Sequence, residues 1–347
     1  MKRILLTGGA GFIGSHTSLL LLDKGYEVLI LDSLVNSSIS VIEKIKKIIC
    51  KENPSFKNNL KFIKGDIRDV NLLRSIFSQA EKEENKFSAV IHFAGLKAVG
   101  ESCDYPIDYW ENNISGTINL IKIMSDANCK TILFSSSATI YGAAGNQPIN
   151  EQTSIKPTNP YGNTKAFIET FLEDIYKSNS DEWKIANLRY FNPVGAHSSG
   201  LIGENPKGEA NNIFPLIMKV ANYDSQRFEI FGNDWDTPDG TGIRDYIHVM
   251  DVAEGHIKTF EYLERKNNLF LNLNLGTGKG TSVLELIKTY EESNNVKIPY
   301  IFAPKRSGDI STAIADNSLA KSLLNWAPKR DLKQMCIDSW NWKKMNS

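Results

Sequence analysis

The chain has 347 residues, which is enough for one large domain or for two lobes that share an interface. The charges of its 40 basic and 40 acidic residues cancel, so no net electrostatic attraction favours nucleic acid or an anionic membrane as a partner. No apolar run reaches the roughly 18 residues of a transmembrane helix, and glycines end the apolar stretch near the N-terminus too early for a signal peptide. The four cysteines lie far apart without metal-site spacing, which indicates buried free thiols in a reducing compartment. We therefore expect a cytoplasmic protein with no metal, no nucleic-acid partner and no membrane contact.

Short apolar runs alternate with longer amphipathic stretches through the first half of the chain. The predicted strands are RILLT, YEVLILD, LKFIKGD, AVIHFAG, TILFSSS and KIANLRYFN. The predicted helices are FIGSHTSLLLLDKG, SVIEKIKKIICKE, VNLLRSIFSQAEK, a long segment from about Asp104 to Ala127, and the stretch after Tyr161. This alternation predicts βαβ units, hence an α/β fold built on a Rossmann-type, doubly wound parallel sheet. Ligands of such a sheet bind beyond the carboxyl ends of its strands.

The alternation of predicted strands and helices becomes irregular from about Asn192, where loops rich in Gly, Pro, Asn and Asp begin. We expect a first domain over residues 1–191 and, over residues 192–347, a smaller C-terminal α/β lobe that covers the mouth of the sheet. LFLNLNLG has the pattern of a further strand and is expected to rejoin the first sheet. No clean linker between the two parts is expected for that reason.

The segment TGGAGFIG places Gly8, Gly11 and Gly14 three residues apart between a strand and a helix. Glycines there permit a tight turn and close approach of the backbone to a pyrophosphate, which the helix N-terminus attracts. The second strand ends at Asp32, at roughly the twenty-residue spacing of an acid that binds the adenosine ribose of NAD. A carboxylate there would repel a 2′-phosphate, which favours NAD over NADP. The alternative is a turn that needs glycine for packing alone, followed by an acid that merely ends a strand.

Three later strand ends supply further candidates for cofactor binding. An acid in GDIRD could accept a hydrogen bond from the adenine amino group, HFAGLK lies beside the middle of the cofactor, and SSSAT offers a hydroxyl. His92 lies inside an apolar run and is expected to be a core residue. The candidates are Asp66, Ile67, Phe93, Ala94, Gly95, Lys97 and Ser137.

Tyr161 and Lys165 in NPYGNTK are four residues apart and would share one face of a helix. An ammonium about 5 Å from the phenol, at an effective dielectric near 20, contributes roughly 3 kcal/mol or about two pKa units. That shift, added to the positive charge of a nicotinamide ring, could bring the pKa of Tyr161 near 7, where a general base works best. Judged on spacing alone, an ordinary hydroxyl-to-amine or cation–π contact between the two residues is favoured, because such spacing is frequent.

Several segments resemble a known group of enzymes. TGGAGFIG, SSSATIYG and YGNTK together are similar to the extended short-chain dehydrogenase/reductases. HFAGLKAVGES, RYFNPVGAH and IFGNDWDTPDGTGIRDYIHVMD resemble the UDP-glucose 4-epimerases, and the resemblance runs from Lys2 into the RSGD and NWAP segments. It implies a tightly held NAD⁺ and reversible inversion at C4 of a UDP-hexose through a 4-keto-sugar. It also implies a homodimer, formed by the Asp104–Ala127 segment and the helix after Tyr161.

The resemblance assigns roles to residues at matching motif positions. Tyr161 would be the base, Lys165 its partner, and Ser137 would bind the 4-oxygen of the sugar. The implied NAD contacts are Gly8, Gly11, Phe12, Ile13, Asp32, Asn36, Ser37, Asp66, Ile67, Phe93, Lys97, Asn112, Lys165 and Phe191, beside Gly14, Ala94, Gly95 and Tyr161. The implied substrate contacts are Lys97, Ser137, Tyr161, Asn192, Asn212, Ile213, Phe231, Arg244, Arg306, Asp309 and Ala313.

Other functions compete with this one. A nucleotide-sugar 4,6-dehydratase shares the opening oxidation at C4, but such enzymes resemble one another in carrying Asp and Glu directly after the residue aligned with Ser137. Ala138 and Thr139 stand there in this chain, so the elimination machinery is absent. A non-enzymatic NAD sensor would have a damaged Ser/Tyr/Lys set, whereas this chain has all three. Arg244 and Arg306 could bind a diphosphate bidentately or be plain ion-pair partners of nearby acids.

The identity of the sugar depends on Ala313. Many relatives restricted to glucose and galactose place a bulky tyrosine at this position, against the sugar. Alanine leaves more room, so we expect UDP-N-acetylglucosamine and UDP-N-acetylgalactosamine to be substrates as well, with a use in polysaccharide synthesis. Alternatively, Ala313 fills core space and neighbouring side chains close the gap.

Overall fold

The computed structural model describes residues 1–145, 147–179, 181–207, 210, 212–306 and 308–346. Its strands, in chain order, are β1 Arg3–Thr7, β2 Glu27–Asp32, β3 Leu60–Lys64, β4 Phe87–His92, β5 Thr131–Ser137, β6 Lys184–Tyr190, β7 Asn192–Val194, β8 Phe228–Phe231, β9 Ile243–Arg244, β10 Tyr246–His248, β11 Leu269–Leu275, β12 Thr281–Ser282, β13 Tyr300–Ala303 and β14 Thr312–Ala313. Its α-helices are α1 Phe12–Asp23, α2 Ser40–Glu52, α3 Val70–Lys82, α4 Val99–Asp104, α5 Pro106–Trp110, α6 Gly116–Asp126, α7 Pro160–Ser178, α8 Ile213–Ala221, α9 Val249–Glu264, α10 Val283–Asn294, α11 Ser318–Leu324 and α12 Leu332–Asn346.

Seven of the described strands form one sheet in the order β11-β6-β5-β4-β1-β2-β3, and every pairing within it is parallel. The predicted Rossmann-type α/β fold is therefore confirmed. The direction of the strand order reverses between β1 and β4, which is where such sheets bind their ligands. LFLNLNLG rejoins the sheet as β11, as its pattern predicted.

Helices cover both faces of the sheet because alternate strand residues point to opposite sides. Ile4 and Leu6 of β1 belong to a core shared with α1, α2 and α9, while Leu5 belongs to a second core shared with α3, α6 and α7. All five residues of β1 are buried, as expected of a central strand covered on both sides. The charged residues of α2 lie opposite its buried isoleucines, Ile42, Ile45, Ile48 and Ile49.

The second half of the chain divides between the sheet and a separate core. α9 packs on α1, and β11 and α11 complete that side of the first sheet. The remaining elements form a third core that includes Val194, Phe214, Tyr246, Leu286 and Trp342. Short strand pairs connect this part, namely β7 with β10, β8 with β13, and β9 with β12 and β14.

None of the helices in the described residues is long and apolar enough to cross a membrane. The four cysteines are free, but the prediction that they are buried is only half right. Cys129 and Cys336 are buried in apolar cores, whereas Cys50 and Cys103 are exposed. Exposure of two thiols follows from their places on the outer faces of α2 and α4.

Candidate active site

A cavity of about 450 Å³ lies beyond the carboxyl ends of the central strands, at the predicted edge of the sheet. Its size is typical of a ligand site. All predicted cofactor residues line it: Gly8, Gly11, Phe12, Ile13, Gly14, Asp32, Asn36, Ser37, Asp66, Ile67, Phe93, Ala94, Gly95, Lys97, Asn112, Tyr161, Lys165 and Phe191. Of the predicted substrate residues, Lys97, Ser137, Tyr161, Asn192, Asn212 and Ile213 also line it.

The glycine turn after β1 is as tight as its sequence suggests. Gly8 has a φ of +70°, and a Cβ on Gly14 would lie 2.5 Å from the Gly8 carbonyl oxygen. Helix α1 begins at Phe12 without any side-chain cap on Gly11, so its first N–H groups and its positive dipole end face the cavity. The turn has the form of an anion site for a pyrophosphate.

Asp32 is buried at the end of β2 and holds the loop that follows. One carboxylate oxygen accepts hydrogen bonds from the Leu34 N–H at 2.9 Å and the Ser37 hydroxyl at 2.8 Å. Among the described residues, the other accepts only the Ala10 N–H, at 3.0 Å. Because a carboxylate offers about four lone-pair positions, the second oxygen can accept one more hydrogen bond from a ribose hydroxyl. The acid therefore does more than end a strand.

A short π-helical turn over Glu111–Ser115 brings Asn112 to the cavity wall. Its neighbour Asn113 is buried and bonds both backbone groups of Leu96, at 2.8 and 3.1 Å. Asn113 also donates to the Thr164 hydroxyl of α7 at 3.0 Å. The turn after β4 is thus tied to the helix that carries Tyr161.

His92 is a core residue, as predicted. Its two ring nitrogens bond the hydroxyls of Thr7 at 2.6 Å and Thr117 at 2.8 Å, and the ring is fully buried. Burial lowers the pKa of His92 to about 3, so the ring is neutral.

Ser137, Tyr161 and Lys165 meet at the floor of the cavity. Helix α7 begins at Pro160, and Asn159 caps it by accepting from the Gly162 N–H at 2.8 Å. This start directs Tyr161 and Lys165 along one face, with the Lys165 Nζ 5.8 Å from the Tyr161 ring centroid. The ammonium itself is buried and donates to the Ser135 carbonyl oxygen at 2.6 Å.

The sequence predicted that Lys165 and a positive nicotinamide ring together lower the pKa of Tyr161, and in the protein alone burial works against this shift. Burial raises the pKa of Tyr161 to about 12, although a hydrogen bond with Ser137 opposes the rise. Burial also lowers the pKa of Lys165 to about 7, against a raising influence of Glu169. Desolvation of the phenol is the largest influence on its pKa, and the Lys165 ammonium is directed at a carbonyl oxygen. A base at this position needs a further positive charge beside it.

The other predicted substrate residues lie together outside the cavity wall. The Arg244 and Arg306 guanidinium groups both reach Asp309, at 2.5 and 3.2 Å, and Arg306 lies 4.5 Å from the Phe231 ring centroid. Ala313 pairs with Arg244 between β14 and β9. The ion pairs foreseen as an alternative exist, but two guanidinium groups on one carboxylate leave an excess positive charge that suits an anion.

Two residues that the sequence had not singled out also line the cavity. Glu204 is buried; one of its carboxylate oxygens accepts from the Lys97 ammonium at 3.0 Å and from the Asn212 amide. It therefore joins a predicted cofactor contact to a predicted substrate contact. Thr139 lies in the turn after β5 and bonds the Ser137 hydroxyl. No motif surrounds Glu204, and Thr139, although it lies in the SSSATIYG motif, stands out in the sequence only as a position where a dehydratase would have an acid.

Comparison with known proteins identifies the family. Residues 5–339 match the family model described as GDP-mannose 4,6 dehydratase. UDP-glucose 4-epimerase 2 of Arabidopsis thaliana is 48% identical over 99% of this chain and 96% of its own. The chain belongs to the UDP-glucose 4-epimerase family.

Solved structures of UDP-glucose 4-epimerases agree with this assignment. The enzyme of Stenotrophomonas maltophila, with bound NAD and formylated UDP-arabinopyranose, is 43% identical with a TM-score of 0.93, over 100% of this chain and 99% of its own. The Bifidobacterium longum enzyme, in complex with NAD⁺ and UDP, is 45% identical with a TM-score of 0.92, over 99% of each chain. The dehydratase name of the family model is not matched at Ala138 and Thr139, where the acid pair would stand.

Proposed function

We propose that the protein is an NAD-dependent UDP-hexose 4-epimerase in which Tyr161 is the general base. The observation that carries this proposal is that Ser137, Tyr161 and Lys165 line the same cavity as the glycine turn and Asp32, in a chain of the epimerase family. UDP-glucose and UDP-galactose are the substrate pair, interconverted through a transient 4-keto-sugar.

The residues present fit NAD. Free N–H groups at the start of α1 face the position of a pyrophosphate, and Asp32 keeps one acceptor site for a ribose hydroxyl. The proposed NAD contacts are the predicted cofactor residues from Gly8 to Phe191, all of which line the cavity. Bound NAD⁺ supplies a hydride acceptor and donor for C4 and a positive charge near the phenol.

Each side chain at the floor of the cavity has a distinct task. Tyr161, once ionised, takes the proton of the C4 hydroxyl as C4 loses its hydride, and returns it when hydride arrives on the other face of C4. Ser137 has one hydroxyl hydrogen, which it can donate either to the phenolate or to the oxygen at C4. Lys165, charged below pH 7, stabilises the phenolate.

The substrate is held mainly through its UDP group, far from C4. Binding energy spent there can orient the hexose without being lost in the reaction. Arg244 and Arg306 would bond the diphosphate oxygens, and Phe231 and Asp309 complete that cluster. Asn192, Asn212 and Ile213 line the same cavity as Ser137. We accordingly assign residues 1–191 to NAD binding and residues 192–347 mainly to the UDP-sugar.

The function is tested by incubating the purified protein with UDP-galactose and no added cofactor, then measuring UDP-glucose. Turnover without added NAD is the expected result, because each cycle restores NAD⁺. A 4-keto-6-deoxy product would indicate a dehydratase instead. No turnover of UDP-hexoses, despite bound NAD, would indicate a sensor.

We also propose that N-acetylated UDP-hexoses are substrates. Ala313 packs near Phe191, which lines the cavity, and its methyl group is the smallest side chain that a chiral residue can place there. Ala313→Tyr is expected to reduce kcat/KM for UDP-N-acetylglucosamine by about 100-fold, since a phenol and an acetamido group would compete for one space. Activity on UDP-glucose should change little.

The matched control for this variant is Thr312→Tyr. Thr312 is the adjacent residue of β14 and points to the opposite side of the strand, so it should affect both sugar pairs equally. N-acetyl activity that survives unchanged in Ala313→Tyr would contradict the proposal. A supply of N-acetylated UDP-sugars fits polysaccharide synthesis in the cytoplasm, where we place the protein.

The exposed face of α5, α6 and α7 supports a homodimer. Ile107, Trp110, Ile118 and Phe167 are large apolar side chains with exposed fractions of 78, 40, 41 and 46%. The first three recur at helical spacing on one face, and the Trp110 and Phe167 rings lie 5.8 Å apart. A patch of this kind is typical of a protein–protein contact. We propose that two copies of the chain pair through it.

A charge in this patch is expected to separate the copies. Phe167→Glu should elute as a monomer in size-exclusion chromatography with light scattering, because a buried unpaired carboxylate opposes association. The control is Tyr223→Glu, which changes a 94% exposed aromatic residue outside the patch and should leave a dimer. A dimeric Phe167→Glu, or a monomeric wild type, would argue against this interface.

A further inference from the structure

Thr139 makes two hydrogen bonds to one atom of the candidate catalytic set. β5 ends at Ser137, and a 3₁₀ turn over Ala138–Tyr141 follows it at the cavity wall. The Thr139 N–H donates to the Ser137 Oγ at 3.2 Å, and the Thr139 hydroxyl donates to the same atom at 2.9 Å. The backbone bond is an ordinary cap of the turn, whereas the second bond exceeds what capping requires.

These two bonds fix the direction in which Ser137 can act. A hydroxyl has one hydrogen and two acceptor lone pairs. Since both lone pairs of Ser137 Oγ accept from Thr139, its hydrogen is left to donate towards the cavity. Burial is the larger influence on the pKa of Tyr161 and raises it, while a hydrogen bond with Ser137 lowers it, so the two side chains lie beside each other in the cavity.

The turn that carries Thr139 is also fixed relative to Tyr161. Gly162 follows Tyr161 in the first turn of α7, and a Cβ there would lie 3.2 Å from the Thr139 carbonyl oxygen. The first turn of α7 therefore packs on the backbone of Thr139. A change in the Thr139 side chain that keeps its volume should leave this packing intact.

We propose that Thr139 is a positioning residue that holds Ser137 as a hydrogen-bond donor towards the cavity, where Tyr161 and the oxygen at C4 are alternative acceptors of its one hydrogen. The proposal rests on the proposed epimerase function and deepens it. While the Thr139 hydroxyl donates, both lone pairs of Ser137 Oγ are occupied and its hydrogen points to the cavity. Without the Thr139 hydroxyl, one lone pair is free to accept from Tyr161, which favours the neutral phenol.

The test compares wild type with Thr139→Val, which keeps the shape of the side chain and removes its hydroxyl. At pH 7 we expect kcat for UDP-galactose to fall about tenfold and the rising limb of kcat/KM against pH to move up by about one unit, the effect of one hydrogen bond on the phenolate. The KM, the bound NAD and the melting temperature should stay near wild type. Thr139→Ser restores the hydroxyl and should restore the pH profile.

Thr170→Val is the matched control. Thr170 is exposed on α7, and its hydroxyl bonds only the Ala166 carbonyl oxygen among the described residues, so this variant should behave as wild type. A pH profile unmoved in Thr139→Val, or a Thr139→Ser variant that fails as Thr139→Val does, would overturn the proposal. Loss of activity in step with loss of melting temperature, at an unmoved pH limb, would also overturn it.

Failure of this proposal can be told from failure of the proposed function. The ultraviolet absorbance of the Tyr161 phenolate, obtained by subtracting the spectrum of Tyr161→Phe, titrates whether or not the protein epimerises a sugar. An inactive wild type would sink the epimerase function alone. A Tyr161 titration at higher pH in Thr139→Val than in wild type supports the positioning role, and equal titrations exclude it.

Discussion

Tyr161→Phe is expected to retain its NAD and to lose about 1,000-fold in kcat for UDP-galactose, within the range contributed by a positioned general base. The phenol hydroxyl is the group on α7 that can take the C4 proton, and phenylalanine preserves the packing of the helix start. Turnover is measured as UDP-glucose formed, and NAD is measured in the denatured protein. Substrate affinity, measured by titration calorimetry with UDP, should change little because the UDP contacts lie elsewhere.

A second tyrosine provides the control for loss of a hydroxyl. Tyr141 is fully buried outside the cavity wall, where it donates to Asn274 at 2.7 Å and accepts from Arg189 at 2.9 Å. Tyr141→Phe leaves these partners unsatisfied and should cost about 1–3 kcal/mol of stability, while the rate at pH 7 stays within about threefold. Full activity in Tyr161→Phe would show that Tyr161 is not the base and that the NPYGNTK motif only packs the start of the helix.

The fold was predictable because hydrophobic periodicity carries most of its information. The strands RILLT and YEVLILD alternate with amphipathic stretches, and the right-handed crossover rule leaves few topologies for them. Even the return of LFLNLNLG to the sheet followed from its strand pattern. The packing of α9 on α1 was not foreseen, because a helix pattern indicates which face is buried but not which partner covers it.

The cofactor side of the site was predictable for a related reason. Glycines and acids at the ends of parallel strands converge on one edge of the sheet, so Gly8, Asp32, Asp66 and Phe93 had to share a wall. Glu204 and Thr139 were missed because their importance lies in contacts across the fold or within a short turn. Spacing in the sequence identifies a helical pair such as Tyr161 and Lys165 but does not report how deeply it is buried.

That burial works against the electrostatic prediction, which relied on Lys165 and the nicotinamide ring together. The Coulomb argument assumed a fully charged ammonium in a screened medium. In the folded chain both groups lose solvation, so the pKa of Tyr161 rises to about 12 and that of Lys165 falls to about 7. The positive ring of bound NAD⁺ is then required for an ionised base near neutral pH, which makes occupancy of the cofactor site a condition for activity.

Lys165→Met is expected to slow the reaction and to stabilise the fold at the same time. The rate falls because the phenolate loses its nearest protein cation, and the pH at which the rate rises with ionisation of Tyr161 moves upward. The fold gains because a buried ammonium is removed. Folding lowers the pKa of Lys165 from 10.5 to about 7, so the unfolded chain holds one more proton between these pH values. Wild-type stability therefore rises with pH through this window, and the stability of Lys165→Met lacks this rise.

The two proteins should consequently differ most below pH 7, by on the order of 3 kcal/mol in the free energy of unfolding, and converge as the pH approaches 10. Loss of the bond to the Ser135 carbonyl oxygen offsets part of this gain. Urea unfolding at pH 6 and pH 9 measures the difference, with Lys177→Met as the control because Lys177 is exposed on the same helix and should show no gain at pH 6. If Lys165→Met were less stable than wild type at pH 6, the ammonium would have to be stabilised by partners stronger than the Ser135 carbonyl and Glu169. If the pH dependence of the rate is the same in Lys165→Met as in wild type, Lys165 does not affect the pKa of Tyr161. Ser137 would then be the protein group that lowers this pKa.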